Sequence, residues 1–524
     1  MWLTIRHRIR WLIPYSVICV LVFAIYFNSL SGDFIWDDTH HIANNVLIKD
    51  LRNIPLFFTK DFWENSWAHT TSRLYRPLVT LSFAIDYYFW RLNPAGYHFT
   101  NLILYLSVCL ILYPLSKAIL GNDRAAMAAS LIFASHPVHS ESVTWIFGRT
   151  DLIAGFFSLS SFYLYLLYYN NKTKLLLLIT SFAVFVLALL SKEIAATLPI
   201  IIILHNLLFN RGERGYKKWL PALGYLIILL SYMFLRQMVL GRLENPPVVS
   251  YPDFIYYLPW AVINYLKLLF LPINLSALYT LPHTNKMWVF FGLALVIVLC
   301  IVLSLSCIRR DKGLLFLILW VFVTILPVLN RIVMASTTPI AERFLFLPSV
   351  GFAILAGCVL KKAANQRNIV VITLLIIIPF SIVAQQRNAV WKDELTLYRD
   401  ILKTSPNAYF IHNNLGLIHY NQGRLDDAIL EYKAALHLKP DYHGAYNNLG
   451  VAYSKQNRLY EAVAEYKNAL RLKPDYAGAI YNLAAALEQL GRREEAIVLY
   501  NEFIKIAPDV YSEMAQIAKQ RVNR

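Results

Sequence analysis

Residues 413–440 read NNLGLIHYNQGRLDDAILEYKAALHLKP, and residues 446–474 read YNNLGVAYSKQNRLYEAVAEYKNALRLKP. Laid over one another with a step of 34, their small, aromatic and proline positions coincide. Pro406, Pro440, Pro474 and Pro508 keep that step, as do Tyr398, Tyr432, Tyr466 and Tyr500. Ala428, Ala462 and Ala496 keep it too, and so do Asn414, Asn448 and Asn482. Self-similarity at such a period marks a stack of helical pairs, each burying its apolar face only against its neighbours. Alanine lets the paired helices approach, tyrosine fills the groove between them, and proline ends the second helix.

These are the features of the tetratricopeptide repeat. Three repeats are expected over 406–508, with a polar capping helix over 509–524. The period runs back through Tyr398, so 386–405 reads as a linking half-repeat helix. Three repeats are about the smallest stable array. Such an array offers a concave groove to an extended peptide, which makes Asn414, Asn448 and Asn482 candidate acceptor-binding residues. The plainer role is packing or oligomerisation.

Towards the N-terminus the solvent for which the chain is built changes. It is 57% hydrophobic and 15% charged, against about a quarter charged in soluble domains, and the apolar excess lies in residues 1–385. A membrane-spanning helix needs about 20 mostly apolar residues. Candidate spans are 11–30, 97–119, 125–142, 150–169, 174–191, 194–209, 219–237, 287–308, 313–330, 347–361 and 369–385. The fold class expected is therefore all-α: a polytopic transmembrane helix bundle of about eleven spans, followed by an α-solenoid. Residues 254–272 are long enough to cross but contain Pro259, Asn264 and Lys267, and they read as re-entrant or interfacial. Residues 78–92 read as a helix lying flat in the interface.

The net charge of +17 does not point to nucleic acid, because the basic residues sit in short connectors rather than along one exposed face. Arg6/Arg8/Arg10, Lys172/Lys174, Lys217/Lys218 and Lys361/Lys362 fall on one side, which the positive-inside rule makes cytoplasmic. Most acids fall on the other side, where eleven spans also place the repeats. The five cysteines lie in or beside apolar runs without metal-ligand spacing, so neither a disulfide framework nor a zinc site is implied. The expected location is an integral multi-pass protein of a bacterial-type plasma membrane or the endoplasmic reticulum.

The first outer loop, 31–96, opens with GDFIWDDTHHIANN. Asp37 and Asp38 stand where a membrane-embedded substrate would meet water, and neighbouring acids can divide the roles of general base and of orienter or metal ligand. Alone, an Asp-Asp pair is more simply a solvated one. Here it has company at other boundaries: Arg76 in RLYRPL, Glu141, Arg149 and Asp151 in SHPVHSESVTWIFGRTD, Lys192 and Glu193 in LLSKEIAATLP, and Glu342 and Arg343 in STTPIAERFLFLPSVGF. Ionisable groups deep in a membrane cost about 2–3 kcal/mol each, so they are paired and often functional. The plainer reading makes Lys192–Glu193, Glu342–Arg343 and Glu141–Arg149 structural ion pairs. A site that handles phosphate needs arginines.

The combination of WDD (36–38), YRPL (75–78), GYHFTNLILY (96–105), HPVHSESVTWIFGRTDLIAGFF (136–157), LSKE (190–193), AERFLFLPSVGF (341–352) and the repeats resembles the transmembrane and tetratricopeptide repeat-containing proteins. These form a branch of the membrane-embedded GT-C glycosyltransferases. The resemblance covers almost the whole chain, with a shorter repeat array than in the animal members. It implies transfer of a sugar, mannose in those members, from a polyprenyl-phosphate carrier to Ser or Thr hydroxyls of a protein. It implies Asp37 as general base with Asp38 as the alternative, and Arg343, Arg76 and Arg149 as partners of the lipid phosphate. Glu141 and Asp151 would orient these groups or contact the sugar; Lys192, Glu193 and Glu342 complete the candidate donor site. No metal ligand is assigned and no cofactor is fixed, although a divalent cation is compatible with the acidic pair. A non-catalytic membrane-anchored repeat scaffold is the alternative, and it predicts that Asp37→Asn leaves function intact. A ligase moving a whole lipid-linked glycan would need no peptide-binding repeats, and a transporter would gather its acids mid-membrane.

Overall fold

In the computed structural model the described residues are 2–62, 74–209, 215–241, 251–280, 311–329, 340–506 and 512–523, with isolated positions 290, 294 and 297. The chain divides into two units, Met1–Glu394 and Leu395–Arg524.

Among the described residues of the first unit, seven helical stretches are long and apolar enough to cross a membrane: Leu12–Ser31, Pro94–Leu120, Ile146–Asn170, Tyr216–Leu240, Lys312–Leu329, Glu342–Ala363 and Gln366–Val390. Each coincides with an expected span. Leu175–Leu189 and Glu193–Phe209 are apolar but shorter. The span expected over 287–308 lies outside the described residues apart from the isolated positions. The span expected over 125–142 is corrected. Its helix is Asp123–Ser135, and His136 turns to φ −68°, ψ 122°. The cause is Pro137, whose ring disfavours helical backbone at the residue before it. Thirteen residues rise about 20 Å, short of a bilayer core of about 30 Å. The segment expected to be re-entrant is one helix, Tyr251–Phe270, with Pro259 inside it, and is not among the seven.

Local chemistry starts and stops these helices. Asn93, Asn122 and Asn365 cap the helices that follow them, each side chain accepting from backbone N–H groups of the first turn. Pro77 opens the Pro77–Trp90 helix, where the missing N–H has no intrahelical partner to lose. That helix is two-faced. Val79, Phe83, Ala84 and Asp86 are buried, while Tyr88 and Phe89 are exposed. In the core, the buried alanines of Asp123–Ser135 (Ala125, Ala126, Ala128 and Ala129) allow close helix approach, the usual basis of packing where lipid supplies no hydrophobic drive.

The second unit is a run of helices. Glu394–Thr404 leads into the pairs Tyr409–Asn421/Leu425–Leu438, His443–Lys455/Leu459–Leu472 and Ala477–Gln489/Arg493–Ile506, and Ser512–Asn523 follows. Ala428, Ala462 and Ala496 are buried, as are Tyr432, Tyr466 and Tyr500. Each pair turns on a left-handed residue: Gly423 (φ 76°), Asn457 (φ 62°) and Gly491 (φ 78°). Glycine adopts this backbone freely, and asparagine is among the few side chains that tolerate it.

Candidate active site

The loop after the first span separates the two aspartates. Trp36 has φ 56°, and its N–H donates to Glu394 Oε1 at 3.0 Å. The N–H of Asp33 donates to the carbonyl of Lys392 at 2.9 Å. Held at both points, the turn buries Asp38 completely. Asp38 Oδ2 accepts from Ile35 N–H at 3.2 Å, and its Oδ1 accepts from Phe147 N–H at 2.8 Å. Burial pushes its carboxyl well above the usual range, against those two bonds. Asp38 thus joins the loop to the 136–151 segment. Asp37 stays partly exposed, and no described residue donates a hydrogen bond to it. Burial pushes its carboxyl up to about 6, opposed by the charges of Arg343 and His40. Near it His41 packs in a three-ring cluster with Phe62 and Phe147, its ring centroid 4.6 Å from each and theirs 5.5 Å apart. Burial, with the charges of His40 and Arg76, pushes His41 down to about 3 and keeps it neutral.

Residues 136–151 form a buried block of short helical turns. Asn101 Nδ2 donates to the carbonyls of Val143, Trp145 and Ile146 at 3.2, 3.1 and 3.2 Å. Thr144 donates to Asn388 Oδ1 at 3.0 Å. Gly148 sits where an added Cβ would lie 2.6 Å from the carbonyl of Ser142 and 2.8 Å from that of Glu141. The block fixes Glu141 at one end and Asp151 at the other.

Three cations converge, each on one carboxylate. Arg343 N–H donates to Glu141 Oε2 at 2.9 Å, its guanidinium donates to Glu141 Oε1, and its Cζ lies 5.2 Å from the Trp145 ring. Lys192 Nζ meets both oxygens of Asp151 at 2.6 Å. Arg76 donates to Glu193 Oε2 at 2.8 Å, and its Nε is buried without an acceptor among the described residues. Burial pushes the Lys192 ammonium down to about 8, against the pull of Asp151 and with the charges of Arg76 and Arg343. Asp37, Glu141 and Asp151 all act electrostatically on Arg343. Asp37, Arg343, Lys192 and Arg76 therefore share one electrostatic neighbourhood.

The sequential ion pairs are corrected. Lys192 pairs with Asp151 rather than Glu193, Glu193 with Arg76, and Glu141 with Arg343 rather than Arg149. Lys192 and Ala341 have extended backbone (φ −162° and −147°) just before a helical turn, and extended chain sends successive side chains to opposite sides. Glu342 faces away from Arg343. It accepts from Ser276 N–H at 2.6 Å and Tyr279 Oη at 2.9 Å, with Arg387 Nε at 3.8 Å. Arg149 also stands apart from the three cations. Fully buried, it donates to Asn101 at 2.8 Å and to the carbonyl of Tyr97 at 3.0 Å, and its Nη2 lies 2.5 Å from Asp86. Asp86 and Arg387 carried no motif of their own. Asp86 showed only as a charge inside an otherwise apolar helix, and Arg387 sits in the polar last turn of its helix. Among the described residues no group of three or more His, Cys, Asp or Glu side chains is spaced to hold a metal ion.

In the repeats, the asparagines make a ladder. Asn448 Nδ2 donates to Asn413 Oδ1 and Asn482 Nδ2 to Asn447 Oδ1, both at 3.0 Å. Asn414, Asn448 and Asn482 remain partly exposed on successive first helices.

A multi-pass, all-helical membrane protein with a buried carboxylate–cation site and a tetratricopeptide solenoid is the class that these features define. Residues 93–235 match the family described as dolichyl-phosphate-mannose-protein mannosyltransferase. Tetratricopeptide repeat families match 416–457, 452–491 and 477–510. Protein O-mannosyl-transferase F38B6.6 of Caenorhabditis elegans is 30% identical over 426 residues, 78% of this chain and 60% of that protein. Protein O-mannosyl-transferase TMTC3 of Homo sapiens is 28% identical over 466 residues, 79% of this chain and 50% of that protein. The chain is thus similar to these two protein O-mannosyl-transferases, and it spans 50–60% of their length. The oligosaccharyltransferase of Archaeoglobus fulgidus with a tethered acceptor peptide aligns over 76% of this chain and 58% of its own, at 14% identity and a TM-score of 0.43, a likeness too loose to define a shared fold.

Proposed function

We propose that this chain transfers a mannosyl group from a polyprenyl-phosphate carrier to Ser or Thr hydroxyls of proteins, at the non-cytoplasmic face of a bacterial-type plasma membrane or of the endoplasmic reticulum. The hydroxyl oxygen forms a bond to the anomeric carbon as the bond from that carbon to the phosphate oxygen breaks. The lipid phosphate leaves with the electron pair, and the hydroxyl proton passes to Asp37. A hydroxyl is a poor nucleophile, so a positioned carboxylate that is ionised near neutral pH is the base the step needs. Asp37 fits because its sister is committed to the backbone while it is not. Asp38 then acts as a positioning residue.

The leaving phosphate needs preorganised positive charge. Arg343, Lys192 and Arg76 supply it, with Glu141, Asp151 and Glu193 fixing their aim. The buried Nε of Arg76 is a donor without an acceptor among the described residues, as a group reserved for an anion would be. Arg149 and Glu342 brace the helices that carry these groups. The repeats would present an extended acceptor segment along Asn414, Asn448 and Asn482, whose amides can bond peptide backbone without regard to sequence. The single observation that carries the reading is the separation of the tandem aspartates: Asp38 tied down, Asp37 beside Arg343. The test uses purified full chain, polyprenyl-phosphate-mannose and a Ser/Thr peptide. Mannosyl-peptide is expected from the wild type and not from Asp37→Asn, and equal product from both would overturn the proposal.

A further inference from the structure

The far ends of the site helices border a cavity. The Arg149–Asn170 helix carries Asp151 in its first turn and Tyr168 and Tyr169 in its last, a rise of about 26 Å between them at about 1.5 Å per residue. Around that far end lies a cavity of about 480 Å³, lined by Lys172, Lys217 and Lys218, by Tyr168, and by Leu175 and Leu220. The volume is in the range of small-molecule sites, about 300–1,000 Å³. No acidic residue is among its lining residues. Lys217 and Lys218 make no ion pair among the described residues. The back wall is built rather than incidental. Tyr165 Oη donates to Asn206 Oδ1 at 3.0 Å, and Asn206 Nδ2 donates to the carbonyl of Lys218 at 3.2 Å, which seats one lysine on the buried core. The other wall is greasy and open: Leu175 and Leu220 are 56% and 51% exposed, at the start of their apolar helices.

We infer that this cavity binds the headgroup of an anionic glycerophospholipid, its phosphate on the three lysines and an acyl chain along Leu175 and Leu220. Positive charge with no carboxylate among the described lining residues selects an anion. An apolar wall continuous with lipid-facing helices selects one that carries a tail, and basic pockets between spans are where such headgroups are held. The site lies a helix length from Asp37 and the cation cluster, so its lipid is not the sugar donor.

Native mass spectrometry of the delipidated full chain tests this, with phosphatidylglycerol, phosphatidylcholine and inorganic phosphate as separate probes. Phosphatidylglycerol is expected to bind well above phosphatidylcholine. A Lys172→Gln/Lys217→Gln/Lys218→Gln variant is expected to lose on the order of a hundredfold in affinity, at a few-fold per lysine. Leu175→Asn, at an exposed position, should weaken phosphatidylglycerol about tenfold with the lysines and their charge intact. Removing three exposed lysines of the repeats, Lys455→Gln/Lys467→Gln/Lys505→Gln, should change nothing. Equal binding of the two lipids, unchanged affinity in the cavity-lysine variant, an equal loss in the repeat-lysine variant, or inorganic phosphate binding as tightly as phosphatidylglycerol would each overturn the inference.

Discussion

The two units of this chain solve the same problem, burying a helix face, by opposite means. In the repeats the partners recur: Asn448 meets Asn413 and Asn482 meets Asn447, and the buried alanines and tyrosines repeat every 34 residues. In the membrane unit the decisive partners are far apart in sequence. Lys192 and Asp151 are 41 residues apart, Arg76 and Glu193 are 117, and Arg343 and Glu141 are 202. Periodic packing tolerates loss at one site because each contact is a copy. A constellation assembled once has no copy, so each member carries more.

The largest effect should come from Asp37→Asn. Loss of the general base is expected to lower kcat by about 10²–10⁴ with the fold unchanged, read by mannosyl-peptide formation and by thermal melting in detergent. No single repeat residue should match that loss; one that did would break the contrast. Next is the buried Arg149–Asp86 pair. Arg149→Leu strands a buried carboxylate and should cost about 3–5 kcal/mol, whereas Asp86→Leu with Arg149→Leu should recover much of it. If the double variant is as unstable as the two singles summed, the pair is not the unit described.

In the repeats, Ala428→Leu, Ala462→Leu and Ala496→Leu should each cost about 1–3 kcal/mol by overpacking, and by similar amounts because their surroundings are copies. Hydrogen exchange of the repeat helices measures this, and a widely unequal series would show that the period does not set the packing. The pH profile follows from Asp37. Its carboxyl is pushed up to about 6, and the base must be ionised, so kcat/KM should fall tenfold per unit on the acid side of that value. A profile flat down to pH 5 would remove Asp37 as the base. Smallest is Asn457→Gly. The left-handed turn there costs asparagine a little and glycine nothing, so a gain under about 1 kcal/mol is expected by denaturant titration.

Much of the candidate site was legible, but not its wiring. The types and boundary positions of Asp37, Arg76, Lys192 and Arg343 stood out because charge beside apolar runs is costly and therefore conspicuous. Sequence neighbours suggested the wrong partners, since an extended residue before a helical turn sends Lys192 and Glu193 apart. That Asp38 rather than Asp37 is tied to the backbone rests on Phe147 N–H, more than a hundred residues away. The span expected over 125–142 failed for a local reason that was visible: Pro137 after His136.

By itself, the sequence determined the all-helical class, seven of the spans and the repeat solenoid, because hydropathy and a fixed period act between near neighbours and print directly on the chain. Only the tertiary structure decided which carboxylate meets which cation, which aspartate is tied to the backbone, and where a basic cavity opens at the far end of the same helices. Burying a charge demands some partner of opposite sign, but helix packing alone chooses which one.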